Sequence, residues 1–402
     1  MQFDDSIVKL HDMITRDSLR RFQRLATKYP VITLTGPRQS GKTTLCKIAF
    51  PKKPYVSLEN LDEREFAQSD PRTFLKRYPN GAIFDEVQRA PWLVSYLQEI
   101  VDSDKRKGLF ILTGSQQLEI SQTISQSLAG RTGLLRLLPF GVDELSKFGE
   151  YSKSQLIYKG CYPRLYAENI SPNQFYGDYL ETYVERDLRQ LITIKDLSLF
   201  RKFLRLAAGR TGQILNLLNL GNDTGISHST AREWISILEA SYIVYLLEPF
   251  YTNTSKRLIK SPKLYFYDTG LVCYLLGINS HTQVMTHPLF GNLFENLALV
   301  ETLKSFWNRG IRKNILFFRD AVGNEIDLVI ESNPKNLLIE IKSAETVHRD
   351  FFQSLKKFPS FFPKIPIDKF LIYGGSDSYE RESTRVIGFR GWAKHLEKVI
   401  KK

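Results

Sequence analysis

Gly36, Gly41, Lys42 and Thr43 stand at the spacing G-x-x-x-x-G-K-T inside Val31-Ile-Thr-Leu-Thr-Gly-Pro-Arg-Gln-Ser-Gly-Lys-Thr-Thr44. Residues of these types at this spacing cradle a polyphosphate. The glycines let the backbone turn tightly enough for its N–H groups to face phosphate oxygens. A helix starting after Gly41 adds its N-terminal N–H groups and about half a positive charge. The Lys42 ammonium can reach the β and γ phosphates, and the Thr43 hydroxyl can hold Mg²⁺. The candidate ATP-binding residues are therefore Gly36, Pro37, Arg38, Gln39, Ser40, Gly41, Lys42, Thr43 and Thr44.

A second set follows the first as a nucleotide hydrolase requires. Gly81-Ala-Ile-Phe is an apolar strand ending in Asp85-Glu86. Asp85 at the strand tip can bind the nucleotide's Mg²⁺ through water, and Glu86 can polarise the attacking water. Gly108-Leu-Phe-Ile-Leu-Thr-Gly-Ser115 is another buried strand. In an open α/β sheet, ligands sit beyond the carboxyl ends of strands, so Thr113 and Ser115 are candidates to sense the γ-phosphate. Arg131 lies between Gly130 and Gly133, just before a strand at Leu134 to Leu138. An exposed arginine there suits an arginine finger that stabilises phosphoryl charge; the competing reading is a loop arginine paired with an acidic neighbour.

A third set lies near the C-terminus. Gly323-Asn324 is a hairpin turn between Ile315-Leu-Phe-Phe-Arg and Glu325-Ile-Asp-Leu-Val-Ile-Glu. Asn336-Leu-Leu-Ile-Glu-Ile-Lys342 is a third strand, with Glu340 and Lys342 on one face by its period of two. Asp327 and Glu340 offer oxygen ligands to Mg²⁺. Lys342 can position or activate a water, or stabilise phosphate charge. Glu295, on a helix spanning 290–308 that reads as amphipathic, is a further acidic ligand. An Asp followed at a distance by Glu-x-Lys on neighbouring strands resembles the PD-(D/E)XK nuclease core. Exposed Glu-x-Lys pairs also arise without any such role, and nuclease folds also serve as binding modules.

These residues need elements to hold them. Residues 6–29 read as a basic helical lead-in, with Arg16, Arg20, Arg21, Arg24 and Lys28 on a polar background that is either a solvated face or a phosphate contact. Tyr55-Val-Ser-Leu begins a strand, residues 61–78 are helical with Pro71 near a helix start, and residues 92–103 form a helix. Residues 172–208 are helical and contain Tyr183-Val-Glu-Arg-Asp187, a lid or connector in which Arg186 either touches phosphate or makes a structural ion pair. Residues 213–247 have helix-turn-helix organisation: Ile214 to Asn222, a turn at Thr224-Gly-Ile-Ser227, and Ser229 to Tyr242, with Ser227 as N-cap. Strands follow at Tyr242-Ile-Val-Tyr-Leu-Leu and Lys263-Leu-Tyr-Phe-Tyr. The candidate DNA contacts are Ser229, Thr230 and Arg232 at the helix tip and Lys256, Arg257 and Lys260 on a basic wing. Such units also act as packed lids or protein-contact surfaces.

The phosphate-loop, Asp85-Glu-Val-Gln-Arg-Ala-Pro91, Leu112-Thr-Gly-Ser115 and Leu128-Ala-Gly-Arg131 resemble a group of prokaryotic AAA-type ATPases whose C-terminal half is a domain of unknown function. The resemblance continues through Tyr183–Asp187, Lys263-Leu-Tyr-Phe-Tyr-Asp-Thr-Gly-Leu271 and Phe294-Glu295, and so spans nearly the whole chain. It implies ATP binding, a winged-helix middle and a nuclease-like end. Many AAA proteins carry Asn at the sensor position, whereas this strand ends Thr-Gly-Ser.

Composition bounds the reading. At 402 residues, with 42% hydrophobic and 25% charged residues, the chain suits a soluble protein of two or three domains. A net charge of +13 suits a polyanion such as nucleic acid, an anionic surface, or merely a basic exterior. No apolar run approaches the ~20 residues of a membrane helix. Met1-Gln-Phe-Asp-Asp5 lacks the regions of a signal peptide. Cys46, Cys161 and Cys273 are odd in number and far apart, which suits a reducing, cytoplasmic setting. The expected fold class is α/β: an AAA-type P-loop ATPase core at 1–145, a helical lid or connector at 146–208, a winged-helix domain at 209–280 and a restriction-endonuclease-like α/β domain at 285–402. The expected activity is ATP binding and hydrolysis with Mg²⁺, directed at DNA, by a chain that forms a homo-oligomer if Arg131 acts in trans. The alternatives are a nucleotide-driven switch whose C-terminal fold only binds DNA or protein, and an ATP-driven DNA translocase or branch-migration motor.

Overall fold

A computed structural model of the chain describes residues 15–115, 127–184, 196–250, 261–362 and 364–400. Helix α1 (Leu19–Ala26) leads into β1 (Val31–Thr35) and α2 (Lys42–Ala49). Then come β2 (Tyr55–Ser57), α3 (Leu61–Ser69), α4 (Pro71–Lys76), β3 (Ile83–Asp85), α5 (Leu93–Ser103), β4 (Phe110–Gly114) and β5 (Thr132–Arg136). The strands form one sheet in the order β2-β3-β4-β1-β5, every pair parallel. Parallel strands need crossovers, and these cover both faces of the sheet with apolar side chains. Val31, Phe84, Phe110 and Leu112 enter one core beside Phe74 and Leu97. Ile32, Leu34, Ile83 and Ile111 enter the opposite core beside Phe22 and Leu45. This alternation is the two-residue period of strand side chains. Because the strands run in parallel, the ends of β1, β3 and β4 open onto one edge.

The stretch 61–78 is helical as expected and Pro71 starts a helix there, α4, which the Asp70 carboxylate caps by accepting from Thr73 N at 3.0 Å. One expectation is corrected here. Arg20, Arg24 and Lys28 are exposed as expected, but Arg16 is buried.

The middle of the chain holds α6 (Lys153–Lys159), α7 (Pro163–Ala167), α8 (Pro172–Tyr179) and α9 (Leu197–Ala208). It continues with β6 (Gln213–Ile214), α10 (Leu217–Thr224), α11 (His228–Ala240), β7 (Val244–Leu247) and β8 (Lys263–Phe266). The three strands make an antiparallel sheet, β6-β8-β7. The first helix of this unit starts later than expected. Ile214 pairs with Lys263, and Asn216 caps α10 by accepting from Asn219 N at 3.0 Å. Gly225, at φ +94°, ends α10. Ser227 caps α11 through Thr230 N at 3.1 Å, as its sequence position predicts. Trp234 of α11 packs edge-on against Phe200 and Phe203 of α9.

The last part comprises α12 (Thr269–Leu275), α13 (Phe290–Trp307), β9 (Ile315–Arg319), β10 (Glu325–Ile330), β11 (Asn336–Lys342), α14 (Gln353–Phe361), β12 (Ile367–Tyr373), β13 (Ser378–Arg381), β14 (Thr384–Gly388) and α15 (Trp392–Ile400). Its sheet runs β13-β14-β12-β11-β10-β9, with β11, β12 and β14 parallel and β9 and β10 antiparallel. Helix α13 is not amphipathic: 13 of its 18 residues are buried, Asn296, Glu301 and Lys304 among them. It lies enclosed by β11, α6, α12 and α15, and its polar groups find partners inside. Lys304 Nζ donates to Glu301 at 2.8 Å and to Phe140 O at 2.7 Å. One hydrophobic core runs from Leu138 through the middle unit to Leu396 of α15. Among the described residues, no helix is long and apolar enough to cross a membrane.

Candidate functional site

The loop between β1 and α2 is shaped by close backbone packing. Leu137 N donates to Thr35 O at 2.7 Å. A Cβ at Gly36 would lie 2.0 Å from Leu137 O, so only glycine fits. Gly41 turns into α2 at φ +90°. Lys42 is buried, and its ammonium donates to Gly36 O at 3.0 Å and Pro37 O at 2.9 Å, inside the loop. Burial lowers its pKa, against the opposing pull of Glu86 and Asp85. Arg16 braces the loop from behind. Its guanidinium donates to Ser40 O at 2.9 Å, Leu138 O at 2.7 Å and Glu144 Oε1 at 3.0 Å. Buried against Glu144, it is a structural cation and not part of a solvated face. The Thr35 hydroxyl lies 3.0 Å from the Tyr242 hydroxyl, which ties the end of β1 to the middle unit.

The acidic pair meets the loop at the same edge. Asp85 Oδ2 accepts from the Thr43 hydroxyl at 2.9 Å and from the Tyr55 hydroxyl, and Thr113 donates to Oδ1. Glu86 follows at φ +56°, ψ +50°, a left-handed conformation that costs a non-glycine residue about 1–3 kcal/mol. Its carboxylate is held by Ser115 Oγ at 3.0 Å and by the Gln88 amide, which also donates to Ser115 Oγ at 3.2 Å. Glu86 N donates to Thr113 Oγ1 at 3.2 Å. The candidate sensors Thr113 and Ser115 thus lie against Asp85 and Glu86. Tyr55 and Gln88 were not singled out from the sequence; an aromatic hydroxyl on an edge strand and an amide after Asp-Glu are weak signals.

Arg131 is not brought to this edge. Its carbonyl accepts from Val31 N at the start of β1, and its guanidinium pairs with Asp102 at 2.5 and 2.9 Å. The rise of β1, about 3.3 Å per residue, puts roughly 13 Å of strand between that position and Thr35. As a group acting on its own chain's loop, Arg131 is ruled out. Arg186 lies outside the described residues.

The C-terminal carboxylates do converge. Asp327 on β10 and Glu340 on β11 are buried on paired strands, and Glu295 approaches from α13. Lys342 Nζ lies 2.7 Å from Glu340 Oε2 and 3.6 Å from Asp327 Oδ2, which also accepts from Ile341 N at 2.7 Å. Glu340 Oε1 is buried with no hydrogen-bond partner. Glu295, Glu325 and Asp327 each offer an oxygen, all within 4.8 Å of one another. Glu325 was passed over, although it sits two residues before Asp327 and shares its face. Lys263 of β8 also enters from the middle unit. It is 1% exposed, donates to Glu295 Oε1 at 2.9 Å and pairs with Glu325. The Tyr265 hydroxyl donates to the same Glu295 oxygen, and Arg319 holds the other Glu325 oxygen at 3.0 Å. Burial pushes Glu295 upward, and burial with Asp327 pushes Glu340 well above the carboxylate range. Burial acts upward on Asp327 too, but Lys342 and Lys263 outweigh it and lower its pKa.

On the middle unit, Ser229 and Arg232 are exposed at the start of α11 and Thr230 is half-buried. The hydroxyls of Ser229 and Thr230 lie 2.8 and 2.9 Å from Ser227 Oγ, so the cap occupies part of their hydrogen-bonding capacity. Lys256, Arg257 and Lys260 lie outside the described residues.

Residues 28–146 match the AAA domain family, residues 151–282 a domain of unknown function (DUF8612) and residues 290–392 a second domain of unknown function (DUF4143). Among solved structures, the Walker-type ATPase PABY2304 of Pyrococcus abyssi is similar, with 14% identity, 64% of this chain and 94% of that chain covered, and a TM-score of 0.43. The RuvB Holliday junction branch migration motor of Thermotoga maritima gives 18%, 58%, 89% and 0.32. The uncharacterized proteins Rv2008c of Mycobacterium tuberculosis and Mb2031c of Mycobacterium bovis are each 30% identical over 335 residues, which is 82% of this chain and 74% of theirs. The chain belongs to the same family as these mycobacterial proteins, and its N-terminal part is a P-loop ATPase domain of the AAA type.

Proposed function

We propose that the chain is an ATP-hydrolysing enzyme that acts on DNA, with ATP turnover gating binding, remodelling or cleavage at the C-terminal acidic site. The observation that carries the reading is the convergence of Asp327, Glu340 and Lys342 at a buried site beside Glu295. The order of helix α13, strands β9-β10-β11 and the parallel β12 supports the PD-(D/E)XK reading. The order α9-β6-α10-α11-β7-β8, with its three-stranded sheet, supports a winged-helix middle. A net charge of +13 favours a polyanionic partner.

In the ATPase site, the loop N–H groups and Lys42 bind and orient the phosphates, and Glu86 takes up or polarises the attacking water's proton. Thr43 and Asp85, with oxygens 2.9 Å apart, suit the ion that accompanies ATP. At the second site, the clustered oxygens of Glu295, Glu325 and Asp327 suit a divalent cation, and Glu340, whose Oε1 has no partner, adds an acid outside that group of three. Such an ion would supply charge neutralisation at a phosphodiester and a more acidic bound water. Lys342 would then hold that water or the phosphate. If Arg131 serves as a finger, it serves a neighbouring copy, and the active form is a homo-oligomer.

The test is incubation with supercoiled, linear, single-stranded and branched DNA, in Mg²⁺ or Mn²⁺, with and without ATP, beside Glu340→Ala. Cleavage that disappears in Glu340→Ala is the expected result. Cleavage undiminished in that variant places the activity elsewhere. Binding without cutting in either metal leaves the second reading, a nucleotide-driven switch. One observation favours that alternative: the Lys263 ammonium already pairs with two of the carboxylates.

A further inference from the structure

Lys263 stands apart from the other residues of the acidic site. Glu295, Glu325, Asp327, Glu340 and Lys342 come from α13, β10 and β11, whereas Lys263 comes from β8 of the middle unit. Its side chain is among the largest fully buried ones, at 1% exposure. An ammonium is buried this deeply only when its charge is met, and here Glu295 and Glu325 meet it. Those are two of the three carboxylates whose oxygens cluster within 4.8 Å. Tyr265, two residues along the same face of β8, donates to the same Glu295 oxygen. The middle unit thus inserts a cation and a hydroxyl among groups suited to a divalent ion. Two cations at contact distance from the same oxygens repel strongly where water is excluded.

We propose that Lys263 is the resident cation of the C-terminal acidic site, and that a divalent ion binds there only as the Lys263 ammonium leaves. The inference rests on the reading of Glu295, Asp327 and Glu340 as ligands, and it assigns control of the site to the position of β8. That strand is not independent of the ATPase domain. It pairs with β7, and Tyr242, just before β7, lies 3.0 Å from the Thr35 hydroxyl at the base of the phosphate loop.

The experiment is a Mn²⁺ titration of the full chain without nucleotide, followed by electron paramagnetic resonance. Wild type, Lys263→Met and each of these combined with Asp327→Asn are compared, so that only Asp327-dependent binding is scored. Methionine keeps the apolar stem and removes the charge. Lys263→Met should bind Mn²⁺ roughly tenfold tighter or more, the equivalent of about 1.4 kcal/mol. Asp327-dependent binding of equal affinity in wild type and Lys263→Met overturns the inference and leaves the ligand reading standing. No Asp327-dependent binding in either protein overturns the ligand reading and the inference with it. A second measurement needs no change at Lys263: acylation of lysines in wild type, read by mass spectrometry. Modification of Lys263 should rise with Mn²⁺ and not do so in Asp327→Asn. Protection that Mn²⁺ leaves unchanged, while Mn²⁺ binds in an Asp327-dependent way, overturns the inference.

Discussion

Glu86 sits in a left-handed conformation with its carboxylate fixed by Ser115 and Gln88. Strain of this kind persists only where surrounding contacts over-determine it. If Glu86 is the base of the proposed reaction, the cost of losing it falls on turnover and not on binding. Glu86→Gln should keep ATP binding and lose hydrolysis by roughly 10²–10⁴-fold, the usual contribution of a general base. Equilibrium binding of a fluorescent nucleotide beside steady-state phosphate release checks this, and full turnover would remove Glu86 from the mechanism. Lys42→Ala should instead abolish nucleotide binding or turnover. Both residues stand out in the sequence because the motifs that suggest their roles lie within one to six positions of them. Tyr55 did not, because what it touches is set by where β2 lies beside β3, and Gln88, which meets Glu86 locally, reaches Ser115 only because β3 and β4 lie side by side. For the same reason the sequence left Arg131 between a finger and a loop arginine paired with an acidic neighbour, and the structure pairs it with Asp102. Its glycine-flanked loop is a local fact, but the end of the sheet it occupies is fixed by the pairing of Val31 with Thr132.

At the scale of elements, α13 and β8 are joined by Glu295, which meets Lys263 and Tyr265, and by Asn296. Asn296 is buried. Its Oδ1 accepts from Phe266 N at 2.9 Å and from the Thr211 hydroxyl at 2.8 Å, and its Nδ2 donates to Phe266 O at 2.7 Å. Replacing it with Leu leaves the Phe266 N–H and carbonyl and the Thr211 hydroxyl without these partners. Each such group costs about 1–3 kcal/mol. Asn296→Leu should therefore lower stability by about 2–4 kcal/mol, read from the urea midpoint at unchanged slope. A shift of a few tenths would mean β8 is held by its strand partners and by Glu295 without Asn296. The sequence marked both elements, and it read α13 as amphipathic from its scattered polar residues. What it could not tell is that Asn296, Glu301 and Lys304 point into protein. Their partners, Phe266, Val142 and Phe140, lie 30 to 164 residues away.

The whole molecule is stitched by a few such long-range contacts. Arg16 links the lead-in segment, the phosphate loop and Glu144. Tyr242 links the end of β1 to the strand pair that carries Lys263. Motif order suggests a succession of regions, whereas these links leave no mark in the sequence, since each joins residues more than a hundred positions apart or turns on one buried side chain. If nucleotide moves the loop base, it biases β8, and by linkage the effect must run both ways with the same factor. Mn²⁺ affinity at the acidic site should then differ by several-fold between nucleotide-free and nucleotide-bound protein, and nucleotide affinity should shift by the same factor when Mn²⁺ fills that site. Tyr242→Phe keeps the ring in its buried place and removes the hydroxyl that meets Thr35. It should bring the factor towards one while each ligand alone binds nearly as in wild type. Paired titrations, with Asp327→Asn to isolate the acidic site from the ion that travels with ATP, measure both directions. A factor of one in wild type would mean the two sites work independently. An unchanged factor in Tyr242→Phe would route the coupling elsewhere, with the buried pair of Arg16 and Glu144 the next contact to cut.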